Sequence, residues 1–318
     1  MHGVSTTTGA TRSVSDVADA LVSIQDDIRR YFGWQVEADR ASAELLVAAV
    51  SRLPFEIDQT ATLASMRRRL AEHDGEVAVI GAAAEPSRVR RAVASGTLLI
   101  VADGALGALL EATAAESTAA LSATVAFVSD GDGGDEAIRA AIAAGLPFVL
   151  HAHADNIDDW SAVIDRLTTA HSVTASAASS PSAGVTGSNG EPVPGSEPMQ
   201  SSGPTTNSGP APDRESRLSP PGPLVITHQT PSDIPGAFNP GGFTDGDRAA
   251  CLALSLDVDA ARLRLIGHRT DMVGRWSGST DPVRKLQKLR WMAEVFRIIG
   301  LQMDGATPTD GEDVRAPE

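Results

Sequence analysis

The spacing of apolar residues changes once along the chain, near residue 75. Between residues 16 and 70 they recur every three or four positions, as in DVADALVSIQDDIRRYFGW, which predicts amphipathic helices. Farther along, six short runs are apolar or β-branched almost throughout: EVAVIG (76–81), TLLIVAD (97–103), ATVAFVSD (123–130), LPFVLHAH (146–153), PLVITHQ (223–229) and RLRLIG (262–267). Such strands, alternating with helices, are typical of a mostly parallel sheet that is covered on both faces. The pattern predicts a Rossmann-like α/β fold with an N-terminal helical segment.

One long tract interrupts this alternation. Residues 172–222 consist almost entirely of Ser, Thr, Ala, Gly and Pro, a composition that cannot bury enough surface to fold and that predicts a disordered insertion. Because the runs after the tract are needed to complete the sheet, we interpret it as an insertion within one domain. The predicted organisation is a disordered N-terminus (1–15), a helical segment (16–75), an α/β catalytic domain (76–302) and a disordered acidic tail (303–318).

Charge and composition narrow the range of partners. The net charge of −15 leaves no basic patch for nucleic acid. No run of 18 apolar residues occurs, and the start MHGVSTTTGATRS lacks the apolar centre of a signal peptide, which predicts a cytoplasmic protein without a membrane span. The single cysteine, Cys251, excludes an internal disulfide framework and a CxxC metal site. The oligomeric state stays open, and a homo-oligomer is compatible with the sequence.

The basic residues are unevenly divided. Of the 26, only Lys285 and Lys288 are lysine. An acidic, lysine-poor composition favours adaptation to high salt, although biased base composition would also replace Lys by Arg. Both lysines belong to DPVRKLQKLRW (281–291), which predicts an amphipathic helix opened by Asp-Pro. Their clustering suggests a phosphate contact, and the alternative is a solvated basic face.

Carboxylates follow two of the predicted strands. Asp103 ends VAD, and Asp130 and Asp132 belong to VSDGD. In open parallel sheets ligands bind beyond the carboxyl ends of the strands, and Mg²⁺ prefers oxygen ligands. These three residues are therefore the predicted magnesium ligands. The alternative is a pair of Asp-Gly turns, which are common in α/β proteins.

Polar residues also follow the fourth strand, in the sequence HAHADN (151–156). His151, His153 and Asp155 are two positions apart, so all three could point to one side. A zinc site is conceivable, but we favour a ligand pocket that also includes Asn156. The sequence contains neither a GxSxG nucleophile motif nor a Walker A motif, and GAAAEPS after the first strand is not a GxGxxG loop. The sequence therefore does not favour a standard P-loop kinase or an NAD dehydrogenase.

The stretch GGFTDGDRAA (241–250) turns from a glycine-rich segment into a helix-compatible run. One interpretation is structural, because Thr244 or Asp245 would cap the helix and Asp247 would suit its first turn. The functional interpretation uses the anion-binding amides of the helix N-terminus. We favour Asp245 near the metal and Asp247 as the structural partner of Arg248.

These motifs together resemble the archaeal 6-hydroxymethyl-7,8-dihydropterin pyrophosphokinase family. The likeness spans roughly residues 16–170 and 224–300 and rests on IRRYFGW, VAVIGAAAEPS, VADGA, VSDGD, HAHADN, THQTP, NPGGFTDGDRA, RLIG and RKLQKL. HAHADN together with GGFTDGDRA is its most specific part. The chain departs from the family pattern in GAAAEPS, in SDGDGG, at Ala154 and in RLIGHRTD, where the role of Asp271 is open.

The resemblance implies transfer of a pyrophosphoryl group from ATP to a reduced pterin with release of AMP, in folate-type or methanopterin-type cofactor synthesis. Mg²⁺ is the implied cofactor. The expected catalytic residues are Asp130, Asp132, Asp245 and Arg248. Substrate and nucleotide binding is assigned to Gly81, Ser87, Asp103, His151, His153, Asp155, Asn156, Gln229, Gly241, Gly242, Phe243, Thr244, Lys285 and Lys288.

Within this set, the side chains of Asp155, Asn156 and Gln229 are expected at the edge of the pterin, and Phe243 against its ring. Two alternatives remain. One is a thiamine-type pyrophosphokinase, which would share the metal site. The other is a nucleotide-binding, glycosylation-associated protein that keeps this sheet without pterin chemistry.

The interpretation of the Ser/Pro/Gly-rich tract as an insertion can be tested by shortening it. Replacement of residues 175–220 by a short Gly/Ser linker should leave folding and activity near wild type, because the cost of loop closure rises only slowly with loop length. Thermal unfolding followed by circular dichroism provides the measurement. Loss of a cooperative transition in the shortened chain would show that the tract is structural.

Overall fold

A computed structural model describes residues 14–113, 117–179, 222–278 and 281–303. The predicted disordered N-terminus, apart from its last two residues, therefore lies outside the described residues. The same holds for positions 180–221 of the predicted insertion and for the acidic tail after Met303. None of the helices within the described ranges is both long enough and apolar enough to cross a membrane.

Each of the six apolar runs contains one strand, as predicted. The strands are β1 Val77–Ile80, β2 Leu98–Ala102, β3 Thr124–Ser129, β4 Phe148–His151, β5 Leu224–Thr227 and β6 Leu263–Ile266. The helices are α1 Val14–Phe32, α2 Val36–Val50, α3 Gln59–Ala71, α4 Pro86–Ala94, α5 Leu106–Ala112, α6 Ser117–Ala123, α7 Asp135–Ala143, α8 Ile157–Ser179, α9 Asp245–Ser255 and α10 Pro282–Ile298.

The strands form one sheet in the order β5-β4-β3-β2-β1-β6. Every neighbouring pair is parallel; Val79 of β1, for example, lies opposite Ile100 of β2 and Leu265 of β6. The side chains of β1 are fully buried and alternate between two apolar cores, with Val79 in one and Ile80 in the other. Burial on both faces explains why the runs are apolar at nearly every position.

The N-terminal helices belong to the same folded body as the sheet. Ile28 of α1 and Met66 of α3 share a core with Val79, whereas Leu46 of α2 lies in the core on the other face. Helix α1 also packs against α10. The segment 16–75 therefore completes the layers that cover the sheet.

The predicted start of the insertion, residue 172, is too early. Helix α8 continues to Ser179, because the alanine-containing sequence up to that residue is compatible with a helix. The linker replacement described above is therefore best begun after Ser179.

The order of the strands creates a crevice between β1 and β6. The chain leaves β1 toward β2 on one side, and β6 later joins β1 on the other, which is the switch point where open α/β sheets bind ligands. The loop after β6 packs closely on the loop after β1. The amide of Trp276 donates to the carbonyl of Ala82 at 3.0 Å, and the amide of Ala83 donates to that of Gly267 at 2.9 Å.

Candidate functional site

Three carboxylates meet at the carboxyl ends of β2 and β3. Oxygens of Asp103, Asp130 and Asp132 all lie within 4.8 Å of one another, as the sequence predicted. Asp103 has a φ of 48°, a conformation that is uncommon outside glycine. A Cβ at Gly133 would lie 2.0 Å from a carboxylate oxygen of Asp103, so glycine is required there for the close approach.

Hydrogen bonds hold this acidic cluster in place. The hydroxyl of Ser129 donates to Asp103 Oδ1 at 2.6 Å, and the amide of Asp132 donates to Asp130 Oδ1 at 3.2 Å. Nε2 of His153 lies 3.3 Å from Asp130 Oδ2. His153 therefore belongs to the site as a partner of the acidic cluster.

Burial, neighbouring charges and hydrogen bonds shift the pKa values of these carboxyl groups. Burial, together with the charge of Asp130, raises the pKa of Asp103 to about 6. Burial and the charges of Asp130 and Asp103 raise the pKa of Asp132 above its usual range. Burial alone would raise the pKa of Asp130, but the hydrogen bond and charge of His153 outweigh it and hold that pKa below its usual range. A divalent cation would relieve this repulsion, and an all-oxygen set suits Mg²⁺.

The side chain of Asn156 stabilises the HAHADN loop through three hydrogen bonds. Its side-chain amide donates to the carbonyls of Asp130 and His151, both at 2.7 Å, and its oxygen accepts from the amide of His153 at 2.9 Å. These bonds use both hydrogens of the Asn156 amide nitrogen. The expected hydrogen bond from this amide to the pterin edge is therefore corrected, and Asn156 instead positions the HAHADN loop. Asp155 is exposed and forms an ion pair with Arg284 of α10 at 3.6 Å.

Among the described residues, His151 and His153 do not belong to a group of three or more potential metal-ligating side chains. Nδ1 of buried His151 lies 3.1 Å from the Thr227 hydroxyl, and its Nε2 has no hydrogen-bond partner in the described part of the chain. The His151 and His153 rings are 5.9 Å apart. Within the described ranges, the one group of three or more potential metal-ligating side chains is the acidic cluster.

The side chain of Gln229 is hydrogen-bonded to Asp39, a buried acid that was not among the predicted site residues. Its side-chain amide donates to Asp39 Oδ2 at 2.9 Å, and its backbone carbonyl accepts from Arg29 Nη1 at 2.5 Å. Asp39 Oδ1 also accepts from the amide of Ala154 at 3.0 Å. The assignment of Gln229 to the pterin edge is therefore corrected, because its side-chain amide joins the loop after β5 to Asp39 of α2. The one available signal was an acid on the apolar face of α2.

The segment 241–250 builds the N-terminus of α9. Gly241 and Gly242 have φ of 89° and 84°, which favours glycine. Asp247 is fully buried and accepts from the amides of Phe243 and Thr244, both at 2.7 Å. Thr244 is therefore the N-cap of α9, as one interpretation of the sequence expected, and Asp247 in the first turn accepts from its amide. The expected pairing with Arg248 is not found, since the described residues contain no ion pair between the two.

Among the described residues, no carboxylate forms an ion pair with the buried guanidinium of Arg248. Its residue is 2% exposed; Nη2 donates to the carbonyl of Phe243 at 2.9 Å, whereas Nε and Nη1 have no partner within the described chain. Oδ1 of Asp245 is likewise buried without a partner. Burial raises the pKa of Asp245 well above its usual value, and the charges of the acidic cluster add to that shift. A guanidinium in this position favours an anionic ligand.

Phe243 is covered by protein rather than available to a ligand. Its ring lies 5.9 Å from those of Phe32 and Trp34, and the residue is 8% exposed. The predicted contact with the pterin ring is therefore corrected to packing. Trp34 itself lies beneath two cations, with Arg284 at 5.6 Å and Lys288 at 5.7 Å from its ring centroid.

Helix α10 carries both lysines to the site. Asp281 caps it by accepting from the amide of Arg284 at 2.7 Å. Lys285 lines the crevice between β1 and β6, and its charge acts on Asp132. Burial lowers the pKa of Lys288, against the opposing charge of Asp130.

The crevice also contains residues that the sequence analysis did not select. Its cavity of about 50 Å³ is small for a ligand pocket. It is lined by Gly81, Ala82, Ala83, Ala102, Asp103, Gly104, Thr244, Asp245, Gly246, Gly267, His268, Arg269, Met272, Gly274, Trp276, Ser277, Lys285, Leu289 and Met292. Ser87 is exposed in the first turn of α4 and does not line it. Asp271 is exposed and pairs with Arg269.

A larger groove of about 680 Å³ runs along the free edge of β6. It reaches Glu76 and Thr97, which precede β1 and β2, and three arginines line it. The residues that line this groove do not include Asp103, Asp130 or Asp132. We therefore place the candidate site at the crevice.

Comparisons with known proteins add no family assignment. No model of a known protein family matches the chain, and no curated protein matches it significantly.

The neutral state of His228 predicts a pH dependence of stability. Its Nδ1 accepts from the amide of Thr230 at 3.1 Å, and burial, aided by the charge of Arg248, lowers its pKa to about 4. The unfolded chain, with a histidine pKa of about 6.5, therefore binds the proton more readily, so stability should fall as the pH decreases from 6.5 toward 4.

Denaturant unfolding at several pH values measures this effect. His228→Gln keeps an acceptor for Thr230 but does not titrate. Wild type should lose up to about 3 kcal/mol more unfolding free energy than this variant between pH 6.5 and 4. Parallel stability curves for the two proteins would contradict the prediction.

Proposed function

We propose that the chain is a cytoplasmic, Mg²⁺-dependent pyrophosphokinase that transfers the terminal pyrophosphoryl group of ATP to a reduced hydroxymethylpterin. The observation that carries the proposal is the pairing of opposite charges at one sheet edge. Three carboxylates lie within 4.8 Å of one another, and the charges of Lys285 and Lys288 act on the same cluster. Buried Arg248 adds donors without partners among the described residues. A metal–phosphate ligand satisfies both signs of charge.

Asp103, Asp130 and Asp132 would hold the metal. When bound, Mg²⁺ would neutralise charge on the phosphates and orient them. Lys285 lines the crevice beside Asp103 and Asp245 and supplies a mobile positive charge to the polyphosphate. The N-terminus of α9 adds backbone amides that favour an anion.

The proposed transfer is direct and forms no covalent enzyme intermediate. The hydroxymethyl oxygen of the pterin attacks the β-phosphorus of ATP, and the bond from that phosphorus to the oxygen bridging to the α-phosphorus breaks. AMP leaves with that oxygen, and the hydroxyl proton passes to solvent water. Positioning and charge neutralisation carry most of such a reaction.

The nucleotide product separates this proposal from ordinary kinases. Incubation with ATP, Mg²⁺ and reduced hydroxymethylpterin at high salt should release AMP in proportion to the pyrophosphorylated pterin. Chromatography of the nucleotides with mass spectrometry of the acceptor measures both. Stoichiometric ADP would rule out pyrophosphoryl transfer, and AMP formed only with thiamine would favour the thiamine-type alternative.

Charge removal within the acidic cluster tests its role. Asp130→Asn and Asp132→Asn should each lower kcat by at least about 100-fold, because they remove charge but little volume. Asp158→Asn, at an exposed position in the first turn of α8, is the control and should retain wild-type kinetics. Unchanged activity and Mg²⁺ dependence in both cluster variants would move the metal elsewhere, with Asp245 the next residue to test.

A further inference from the structure

His268 is a buried imidazole that the proposed chemistry leaves unused. It follows Gly267 at the carboxyl end of β6 and is 3% exposed. Its ring meets Phe296 edge-on at 5.2 Å. A Cβ at Gly81 would lie 2.8 Å from His268 Nε2, and one at Gly246 would lie 3.0 Å from it. The ring therefore stands between the loop after β1 and the N-terminus of α9.

Neither ring nitrogen of His268 has a hydrogen-bond partner within the described chain. A neutral imidazole carries one donor and one acceptor, and a buried polar group without a partner costs about 1–3 kcal/mol. Burial lowers the pKa of His268 to about 3, so the ring is neutral near pH 7. If packing on Phe296 were the only role of His268, a phenylalanine would pack there without the cost of unpaired ring nitrogens.

The surroundings of His268 indicate what would meet it. It lines the crevice at the switch point of the sheet, together with Met272, Trp276 and Met292. Their apolar and aromatic groups suit a flat heterocycle, whereas the carboxylates and Lys285 serve phosphates. A neutral hydrogen-bonding group beside apolar walls suits a nucleoside better than an anion.

We propose that His268 positions the nucleotide by hydrogen-bonding the nucleoside part of ATP in the crevice between β1 and β6. The inference rests on the proposed function in taking ATP as the nucleotide, but it concerns binding rather than transfer. It places the nucleoside beside the His268 ring, at the carboxyl ends of β1 and β6.

Calorimetric titration with AMP tests the inference without turnover. His268→Phe keeps the ring packing and removes both nitrogens, and it should weaken AMP binding about tenfold, as expected for one buried neutral hydrogen bond. His268→Gln, which restores a donor and an acceptor, should recover part of the affinity. Arg264→Gln is the matched control, because this residue of β6 is exposed, pairs with Glu76 and does not line the crevice.

Magnesium tripolyphosphate, which lacks the nucleoside, should bind wild type and His268→Phe equally. In steady-state assays, His268→Phe should raise KM for ATP with little change in kcat or in KM for the pterin. Thermal unfolding should show that His268→Phe remains folded.

Equal AMP affinity in wild type and His268→Phe would overturn the inference, as would a wild type that binds tripolyphosphate but not AMP. The expected affinities combined with no pyrophosphoryl transfer would instead refute the proposed function and leave the role of His268 standing.

Discussion

Repulsion among three carboxylates is the constraint on which this site depends. Asp103, Asp130 and Asp132 are held within 4.8 Å of one another, although burial and like charge oppose their ionisation. The fold maintains the arrangement through adjacent strand ends, the Ser129 hydroxyl, and a glycine at 133 that admits the carboxylate of Asp103. Such a cluster is costly without a cation and well suited to one, which links the architecture of the sheet to metal-dependent chemistry.

Buried hydrogen bonds around the acidic cluster fix the conformation of the loops at the site. Asp39 joins α2 to the loops after β4 and β5, and Asn156 fixes the backbone beside Asp130. These residues have their hydrogen bonds satisfied by protein, whereas Arg248 and His268 keep unpartnered nitrogens in the described structure. Satisfied polar groups support the site, and unsatisfied buried groups are the ones available to a ligand. That difference separates positioning residues from binding residues.

The sheet could be predicted from the sequence because strands buried on both faces are apolar at nearly every position. The meeting of the three aspartates was also predictable, because parallel strands bring their carboxyl ends to one edge. The partners of Asn156 and Gln229 were not, since an amide can bond protein or ligand and Asp39 lies 190 positions from Gln229. His268 was missed because a lone histidine after a glycine has no spacing pattern, and its significance arises only from burial between distant loops.

The most direct test of the account is the position of a metal ion in crystals. Crystals would be grown with Mn²⁺ and the α,β-methylene analogue of ATP, which cannot undergo the proposed bond cleavage. An anomalous difference map should then show manganese bonded to carboxylate oxygens of Asp103, Asp130 and Asp132 and to phosphate oxygens of the analogue. A nucleotide bound with its manganese away from all three carboxylates would contradict the account.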